Sequence, residues 1–482
     1  MNLIRLSFVF FFIAILSSCQ ENMQFSENPN DRLSFSNDTV QFDTVFTTIG
    51  SITKQFRFYN RNHNAIKTNI ELAGGKQSFF RINIDGESTK KVDNYEIMPN
   101  DSAFIFIEVN IDPQNKNNPI IIEDSIMFYT NGNQQNVKLV AYGQDVHLYN
   151  DSAIDTRTWL ADKPYLIYNS VWVKKNATLT IEEGAQIHFH NKSVMWVEGT
   201  LNAQGSVNKR IVFQSDRSDG VYENAPGQWY EKIKTEYGDY FIAGIHFLPK
   251  SINNLINYAI IKNGVKGIQV DSLAENSNPK LILSNSIIKN MSSNGILAQN
   301  STMIVYNTVI ANCKDHAVYL SIGGDYEFYH STIGNYYPFD KRDESSLRLN
   351  NYYIPDKKPI EFPLKALFGN CIIYGDLENE VEIYQSNIEG KPFSYLFDHC
   401  LMKLYKDFDT SDDRIYRNII RDKDSLPNFI DPSGGNLRLD TLSAAIDRGS
   451  VIYSNIFTVD QDGNDRTTGV PDLGAYERIQ GE

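Results

Sequence analysis

Residues 286–290 read Ser-Ile-Ile-Lys-Asn, and residues 308–312, which begin 22 positions later, read Thr-Val-Ile-Ala-Asn. The pattern begins with a small residue and has an Ile or Met two positions on. It recurs, wholly or in part, at residues 259–263, 331–335, 371–375 and 400–402. Successive copies are 27, 22, 23, 40 and 29 residues apart, which indicates one structural repeat of 22–23 residues with insertions. Alternation along a strand places the small residue and the Ile on the same face.

Two further apolar segments repeat with similar spacing. One begins at Gly267, Gly295 and Ala317, and the other begins at Leu281, Met303 and Tyr326. Three short strands in each repeat of about 22 residues predict a parallel β-helix, in which every strand pairs with its counterpart one coil later. No Leu-x-x-Leu-x-Leu pattern supports a leucine-rich repeat, and a propeller has a period of about 40 residues or more.

The composition agrees with an all-β chain rich in turns. Of 482 residues, 49 are Asn, a residue that tolerates a left-handed φ and favours turns. Part of this excess is in register, and we interpret these residues as corner ladders that bond one another between coils. One column holds Asn263, Asn290, Asn312 and Asn335, and a second holds Asn285, Asn307, His330, Asn370 and His399. The net charge of −14 argues against a nucleic-acid partner, which usually meets a basic surface.

The β-helix is predicted over residues 158–477, with loop insertions at residues 216–241 and 336–366. The run at residues 178–213 resembles the opening coils of right-handed parallel β-helix proteins of the pectate-lyase-like superfamily. Residues 437–477 resemble the terminal motif of bacterial surface β-helix proteins. The resemblance implies a right-handed helix and, among its possible activities, a polysaccharide lyase or glycoside hydrolase.

The N-terminus is predicted to be an export signal. Residues 1–18 contain Arg5, an apolar run at residues 8–16 and two small residues before Cys19. Leu16-Ser17-Ser18-Cys19 resembles the bacterial lipobox, which implies lipidation of Cys19 and a polar tether at residues 19–31. The alternative is an ordinary secretory signal with an incidental Cys. We expect a Bacteroidota-type lipoprotein anchored in outer-membrane lipid, on the periplasmic face or at the cell surface.

Residues 32–147 are predicted to form a separate sandwich. Several segments alternate apolar and polar residues with period two, for example residues 103–109 and 125–129. Turn residues separate them, as at residues 60–62 and 131–133. The stretch resembles the immunoglobulin-like domains that precede other modules in bacterial surface lipoproteins. It is either a spacer, which we favour, or a binding module.

No catalytic motif is legible, but loose candidates exist. The catalytic candidates are Asp315, His316, Asp325, Arg342 and Arg348, with Lys341 and His330 as lesser ones. Pectate-lyase-like enzymes typically use calcium bound by Asp or Glu together with an Arg or Lys base, and related hydrolases use paired aspartates. Asp315 and His316 lie at a predicted turn, where polar side chains are usually solvated, and His330 fits a corner ladder.

Aromatic residues of the two insertions are candidate ligand contacts, because long loops on a rigid scaffold often carry function. These candidates are Trp229, Tyr230, Tyr237, Tyr336 and Tyr337. The alternative is that they pin the insertions to the flank of the β-helix.

The terminal motif places Arg466 among four acids, Asp460, Asp462, Asp472 and Glu477. Calcium is possible there, but Gly463 does not fit an EF-hand loop. We favour an ion-pair network that closes the last coil, and we expect no metal or cofactor.

Three cysteines and a recurring dipeptide remain. Cys371 and Cys400 share a column, so they are either stacked buried thiols, which we favour, or a disulfide. Asp followed by Ser or Thr and an apolar residue resembles an O-glycosylation sequon of exported Bacteroidota proteins, although a turn before a strand looks the same. It occurs at Asp38, Asp43, Asp101, Asp124, Asp151, Asp271, Asp424 and Asp440.

Three functions stay open. The leading hypothesis is a non-catalytic surface protein that binds glycans or proteins along the flank of the β-helix. The rival is a polysaccharide lyase or glycoside hydrolase acting in a flank groove, and the third is a structural envelope component. Carboxylates and an Arg or Lys converging in one groove would favour the enzyme.

Overall fold

The computed structural model describes residues 24–113, 120–217, 220–235, 238–273, 278–355, 357–421 and 425–479. The predicted signal, Cys19 and the first part of the tether lie outside the described residues, as do Tyr237 and Asp424. The chain divides between Asp145 and Val146 into two compact units. Both units are built from strands, which confirms the predicted all-β class.

The first unit is a sandwich of two five-stranded sheets, ordered β1-β3-β8-β5-β6 and β2-β10-β9-β4-β7. Neighbouring strands are antiparallel except β10 and β2, which run parallel. Phe58, Ile107 and Phe128 are among the buried side chains between the sheets. A sandwich is therefore confirmed, and the immunoglobulin-like assignment stays a prediction. The strands are β1 (Ser34–Phe35), β2 (Thr39–Phe46), β3 (Lys54–Tyr59), β4 (Ile66–Leu72), β5 (Phe80–Ile84), β6 (Glu87–Thr89), β7 (Lys91–Ile97), β8 (Ser102–Val109), β9 (Ile120–Thr130) and β10 (Asn133–Gln144).

The second unit is a parallel β-helix with short antiparallel additions. Its strands are β11 (His147–Ile154), β12 (Arg157–Trp159), β13 (Tyr165–Val173), β14 (Thr178–Ile181), β15 (Gln186–Phe189), β16 (Met195–Val197), β17 (Thr200–Gln204), β18 (Ile211–Ser215), β19 (Glu231–Thr235), β20 (Gly238–Ile242), β21 (Ile245–Phe247), β22 (Asn254–Asn257), β23 (Ala259–Lys262), β24 (Ile268–Asp271), β25 (Leu281–Ser284), β26 (Ile287–Met291), β27 (Ile296–Tyr306), β28 (Val309–Cys313), β29 (Val318–Tyr329), β30 (Thr332–Asn335), β31 (Leu347–Asn350), β32 (Tyr352–Tyr353), β33 (Ile360–Glu361), β34 (Leu364–Gly369), β35 (Ile372–Gly375), β36 (Val381–Tyr384), β37 (Phe393–Asp398), β38 (Leu401–Met402), β39 (Tyr416–Arg417), β40 (Phe429–Asp431) and β41 (Asn436–Leu439). One helical turn, α1 (Val451–Ser454), follows.

Three parallel ladders run along the β-helix. The first, which we call the site sheet, contains β16, β21, β24, the first halves of β27 and β29, β31 and β36. The second passes through β14, β17, β22 and β25 to β39. The third contains the repeat quoted above, from β23 through β26, β28, β30 and β35 to β38.

The predicted alignment of the repeats is confirmed residue by residue in the third ladder. Ile287 pairs with Val309, Val309 with Thr332, and Thr332 with Ile372. Cys371 and Cys400 therefore lie on adjacent strands, and both are buried free thiols. Stacked thiols were the favoured interpretation of this column.

The second corner column adopts the backbone that its composition predicts. Asn285, Asn307, Asn370 and the two His residues of the column all have φ between +42° and +53°. Asn307 Nδ2 donates to Asn285 Oδ1 at 3.0 Å, and Asn370 Nδ2 contacts His330 Nε2 at 3.2 Å. His330 is therefore a corner residue. In the first column Asn335 is instead part of β30, and its φ is not positive.

Two predicted boundaries are wrong. The β-helix begins before residue 158, because β11 already pairs in parallel with β13. Residues 336–366 are not one loop, because β31 pairs with β29 and β36 as a full member of the site sheet. Leu347 and Leu349 of β31 are buried, so this segment contributes to the core like any other coil.

The terminal segment lies along the flank of the β-helix. Gln461 Nε2 donates to the carbonyl of Ser286 at 2.8 Å, and Asn307 Nδ2 donates to the carbonyl of Val459 at 2.8 Å. Leu437 and Leu473 pack in one cluster with side chains of the third ladder. The segment therefore contacts several coils, from Ser286 to Leu401 of β38, and its closure of the last coil stays a prediction.

We expect Asn307→Gly to lower the free energy of unfolding of the β-helix by about 1–2 kcal/mol, because two hydrogen bonds are lost. Asn307→Ala should cost about 1 kcal/mol more, since Ala is strained at positive φ. Urea denaturation followed by tryptophan fluorescence measures both, because all four Trp residues lie in this unit. Equal stability of the two variants would contradict the backbone argument.

Candidate functional site

One row of side chains points outward from the site sheet. Pairing places Trp172, Trp196, His246, Gln269, Leu297, Tyr319, Arg348 and Glu382 at equivalent positions of successive coils. We call these residues the outer row, and neighbours in it are about 4.8 Å apart. Its middle members His246, Gln269 and Leu297 are buried, whereas Tyr319, Arg348 and Glu382 are partly exposed. Trp172 is exposed and Trp196 is partly exposed, so the row is accessible at both ends, and its charged members lie at the C-terminal end.

Charged side chains converge at that end. Arg348 Nη1 lies 3.6 Å from Glu344 Oε2 and 3.4 Å from His316 Nε2, and Arg348 Nε lies 3.8 Å from Glu382 Oε2. We call these four residues the charged cluster. The structure thus brings together two predicted candidates, His316 and Arg348, with two carboxylates that sequence analysis missed.

His316 is held as a neutral base within the cluster. Its Nδ1 lies 2.7 Å from the carbonyl oxygen of Ser345, so Nδ1 carries the proton and Nε2 faces Arg348 with its lone pair. The side chain is buried, and this burial lowers the pKa of His316. The expectation that His316 is a solvated turn residue is wrong, because the following coil covers it.

Two buried polar atoms in the cluster have no hydrogen-bond partner among the described residues. They are Arg348 Nε and Glu382 Oε2, which face each other across 3.8 Å. This separation is too long for a direct hydrogen bond. The two atoms attract each other as an ion pair, and they leave one donor and one acceptor that no hydrogen bond uses.

Aromatic rings flank the cluster on both sides. The Arg348 guanidinium lies 5.5 Å from the ring centre of Tyr319 and 4.6 Å from that of Tyr384. Both distances are within the range of cation–π contacts. The cluster therefore combines aromatic rings with charged hydrogen-bonding groups.

A cavity opens on each side of the cluster. The lysine pocket, of about 430 Å³, is lined by Lys266, Asn294, Gln299, Tyr319, Asn350 and Tyr352, among others. The aromatic pocket, of about 600 Å³, is lined by Glu382, Tyr384, Tyr405, Phe408, Asp409 and Tyr416, among others. Tyr319 lines the first cavity and Glu382 the second, and Arg348 lies between these two residues in the outer row.

Lys266 is the one charged residue lining the lysine pocket. Its Nζ donates to Gln269 Oε1 at 3.1 Å, and Gln269 Nε2 donates to Asp271 Oδ1 at 3.2 Å. Burial lowers the pKa of Lys266 to about 8, while the charges of Asp271 and Asp315 oppose that shift. The amine therefore loses its charge just above neutral pH.

The other catalytic candidates lie elsewhere. Asp315 accepts from Ser293 Oγ at 2.6 Å, and Asp325 is paired with Lys365 on the second ladder at 3.3 Å. Arg342 is fully buried against Glu380 and Asp376, so it stabilises the fold. Lys341 is exposed and paired with Asp343.

The aromatic candidates in the insertions are mostly buried. Trp229 is 0% exposed, stacks on Phe189 at 4.4 Å and donates from Nε1 to the carbonyl of Lys262. Tyr337 is 7% exposed, and Tyr336 packs on Phe429. Ligand contact is therefore wrong for Trp229 and Tyr337, because their rings are buried, and it stays a prediction for the half-buried Tyr336. Tyr230 is half-buried.

The acids of the terminal motif are engaged by backbone amides and arginines. Asp460 accepts from the backbone N–H groups of Asp462, Asn464 and Glu477 at 2.7–2.8 Å. Arg466 is buried and pairs with Glu477. Asp462 pairs with Arg438 at 2.7 Å, and Asp472 accepts from the backbone of Asp447 and Arg478 at 2.7 Å. The motif is an ion-pair and hydrogen-bond network.

Among the described residues, the one group with metal-ligand spacing is His316, Glu344 and Glu382. Their candidate ligand atoms lie within 4.8 Å of one another. The Arg348 guanidinium contacts all three residues, and its positive charge disfavours a divalent cation there. The group therefore fits a metal poorly.

Comparisons with known proteins show only distant likenesses. No protein-family model and no curated protein matches the chain. Among solved structures, the chain is similar to the catalytic unit of a GH87 α-1,3-glucanase from Streptomyces thermodiastaticus at 11% identity and TM-score 0.21, over 72% of this chain and 66% of that one.

Two further likenesses each cover 26% of this chain. A PapD-like domain of human CEP192 is 8% identical over 91% of its length, with TM-score 0.17. A family 123 glycoside hydrolase from Clostridium perfringens is 9% identical over 30% of its length, with TM-score 0.18. At these TM-scores, no function is inferred from the likenesses. No helix among the described residues is long and apolar enough to cross a membrane.

We expect the Lys266 amine to lose its proton as pH rises through about 8, because burial disfavours its charged form. The chemical shift of its Cε, followed by NMR in protein carrying ¹³C-labelled lysine, measures this titration. Lys266→Met identifies the signal by removing it, and the exposed Lys341 serves as the internal reference. A titration of Lys266 near 10.5 would contradict the effect of burial.

Proposed function

We propose that the protein binds a glycan on the surface formed by the lysine pocket, the charged cluster and the aromatic pocket. The observation that carries this proposal is the position of the partly exposed Arg348 and Glu382, beside the rings of Tyr319 and Tyr384 and between two cavities in the outer row. The guanidinium and the carboxylate can bond sugar hydroxyls, and the apolar faces of the sugar ring can pack on the tyrosines.

The accessible surface suits several sugar residues. From Leu297, which lines the lysine pocket, to Glu382, which lines the aromatic pocket, the outer row advances three coils, or roughly 14 Å. Both cavities are of the size of ordinary ligand pockets. An oligosaccharide lying along the axis of the β-helix would occupy both pockets and cross the cluster between them.

We expect the protein to bind at least one glycan on a glycan array. Calorimetry then measures its affinity for a hexasaccharide of that glycan. Arg348→Met should weaken binding at least tenfold, because the hydroxyl loses its donor and Glu382 loses its counter-charge. Arg348→Lys should not restore it, since Lys keeps the charge but cannot reproduce the planar set of donors.

Arg414→Met is the matched control, since Arg414 is exposed and pairs only locally with Asp412. Its affinity should equal that of the unaltered protein. No binding to any glycan, or equal affinity of the Arg348→Met variant, would overturn the proposal.

Cleavage of the bound glycan is the second candidate. Neutral His316 could remove a proton from a sugar beside the Arg348 charge, as a lyase requires. Glu344 and Glu382 present carboxylate oxygens within 4.8 Å of each other, and a pair of carboxylates is what a hydrolase requires. Unsaturated products would indicate a lyase, and new reducing ends without unsaturated products would indicate a hydrolase. An unchanged hexasaccharide would indicate that the protein binds the glycan without cleaving it.

We propose further that the protein is exported and held to outer-membrane lipid through Cys19, with the sandwich as a spacer. The support is the lipobox-like Leu16-Ser17-Ser18-Cys19 and the polar tether after it. In a bacterial host, the unaltered chain should incorporate labelled palmitate and partition into detergent, and Cys19→Ala should do neither. Palmitate incorporation by the Cys19→Ala variant would overturn this assignment.

A further inference from the structure

The aromatic pocket differs in chemistry from the rest of the proposed glycan surface. Six rings line it, those of Tyr384, Phe393, Tyr395, Tyr405, Phe408 and Tyr416. They come from β36, β37, β39 and the segment between β38 and β39, so four chain segments converge on a single cavity at the last coils.

The rings of the aromatic pocket pack edge to face, so their planes are inclined to one another. Phe408 and Tyr416 meet at 89° with centres 5.9 Å apart, and Tyr405 and Phe408 meet at 67° and 5.4 Å. Tyr395 and Tyr416 meet at 69°, and their hydroxyl oxygens lie 3.2 Å apart. Burial raises the pKa of Tyr416, so its phenol stays neutral. Aromatic rings around one cavity can attract a cation through their π-systems.

The charged residues lining this pocket are Glu382 and Asp409, and both are acidic. Asp409 accepts from the backbone N–H of Ser411 at 2.9 Å, and bonds from Ser411 hold the pKa of Asp409 below its usual value. Asp409 therefore stays ionised in mildly acidic solution. A pocket lined by π-faces and two carboxylates complements a positive charge.

Two arginines lie near the pocket without lining it. Arg348 contacts Tyr384 and Glu382 from the side of the charged cluster. Arg421 donates to the backbone carbonyls of Tyr405 and Lys406 at 2.9–3.1 Å and to Thr410 Oγ1 at 3.0 Å. Its guanidinium is thus engaged by the segment that carries Tyr405 and Phe408, whereas the Asp409 carboxylate lines the cavity.

We propose that the aromatic pocket binds the ammonium group of an amino sugar. This inference rests on the proposed glycan function, because Glu382 and Tyr384 line this pocket and also contact Arg348. A sugar bound by Arg348 and Glu382 would place the next residue of the glycan in the pocket. A protonated amine there gains cation–π contact with the rings and attraction to Asp409, whereas an N-acetyl group carries no charge and gains neither.

The test compares two probes of equal length, the hexamer of glucosamine and the hexamer of N-acetylglucosamine, at mildly acidic pH where the free amines are protonated. The unaltered protein should bind the glucosamine hexamer at least tenfold more tightly. Asp409→Asn should reduce this preference to less than threefold, and Tyr405→Ala should reduce it as well. Asp413→Asn is the matched control, since Asp413 is an exposed acid four residues away, and it should keep the full preference.

Equal affinity for the two hexamers, no binding of the glucosamine hexamer, or a full preference in Asp409→Asn would overturn the ammonium site. These outcomes leave the glycan proposal standing as long as another glycan binds and Arg348→Met weakens that binding. The two proposals therefore fail through different measurements.

Discussion

Hydrogen bonding between equivalent strands of successive coils is the constraint on which the second unit depends. Each strand of the three ladders satisfies its backbone groups only when it pairs in register with the strand one coil later. Because the pairing is in register, equivalent side chains of successive coils stack in rows along the axis of the β-helix. Val270, Ala298 and Leu320 therefore stack inside, while Leu297, Tyr319 and Arg348 stack outside. The outer row and the site upon it are consequences of this backbone pairing.

The corners are the second requirement, because a coil must turn sharply at the same place each time. Asn285, Asn307 and Asn370 adopt positive φ there, and their amides serve two purposes. They bond their neighbours in the column, and they also bind the terminal segment, as in the bonds from Asn307 to Val459 and from Asn370 to Ser450. The Asn-rich composition thus supports both the coil and the segment that covers its flank.

The fold was more predictable than the site. The register of the third ladder followed from aligned small residues and isoleucines, because those patterns are local and repeat. The outward-facing residues could have been predicted from the alternation along aligned strands, since Tyr319 lies between Val318 and Leu320. Prominent aromatics in the insertions, such as Trp229, suggested exposure instead. Large rings in a loop bury themselves against the scaffold when a core side chain such as Phe189 is within reach.

By itself, the sequence determined a chain of short parallel strands with Asn corners, because alternation and period are properties of neighbouring residues. It also singled out His316 and Arg348 as titratable residues of interest. Only the tertiary structure decided that Glu344 and Glu382 join them. Glu382 reaches Arg348 because β31 and β36 are consecutive strands of one ladder, separated by a coil that contains β34, β35 and an insertion whose length no periodicity encodes. The lysine and aromatic pockets are lined in part by residues from segments between the strands of the ladders. The chemistry of these pockets is therefore set by packing and not by the repeat.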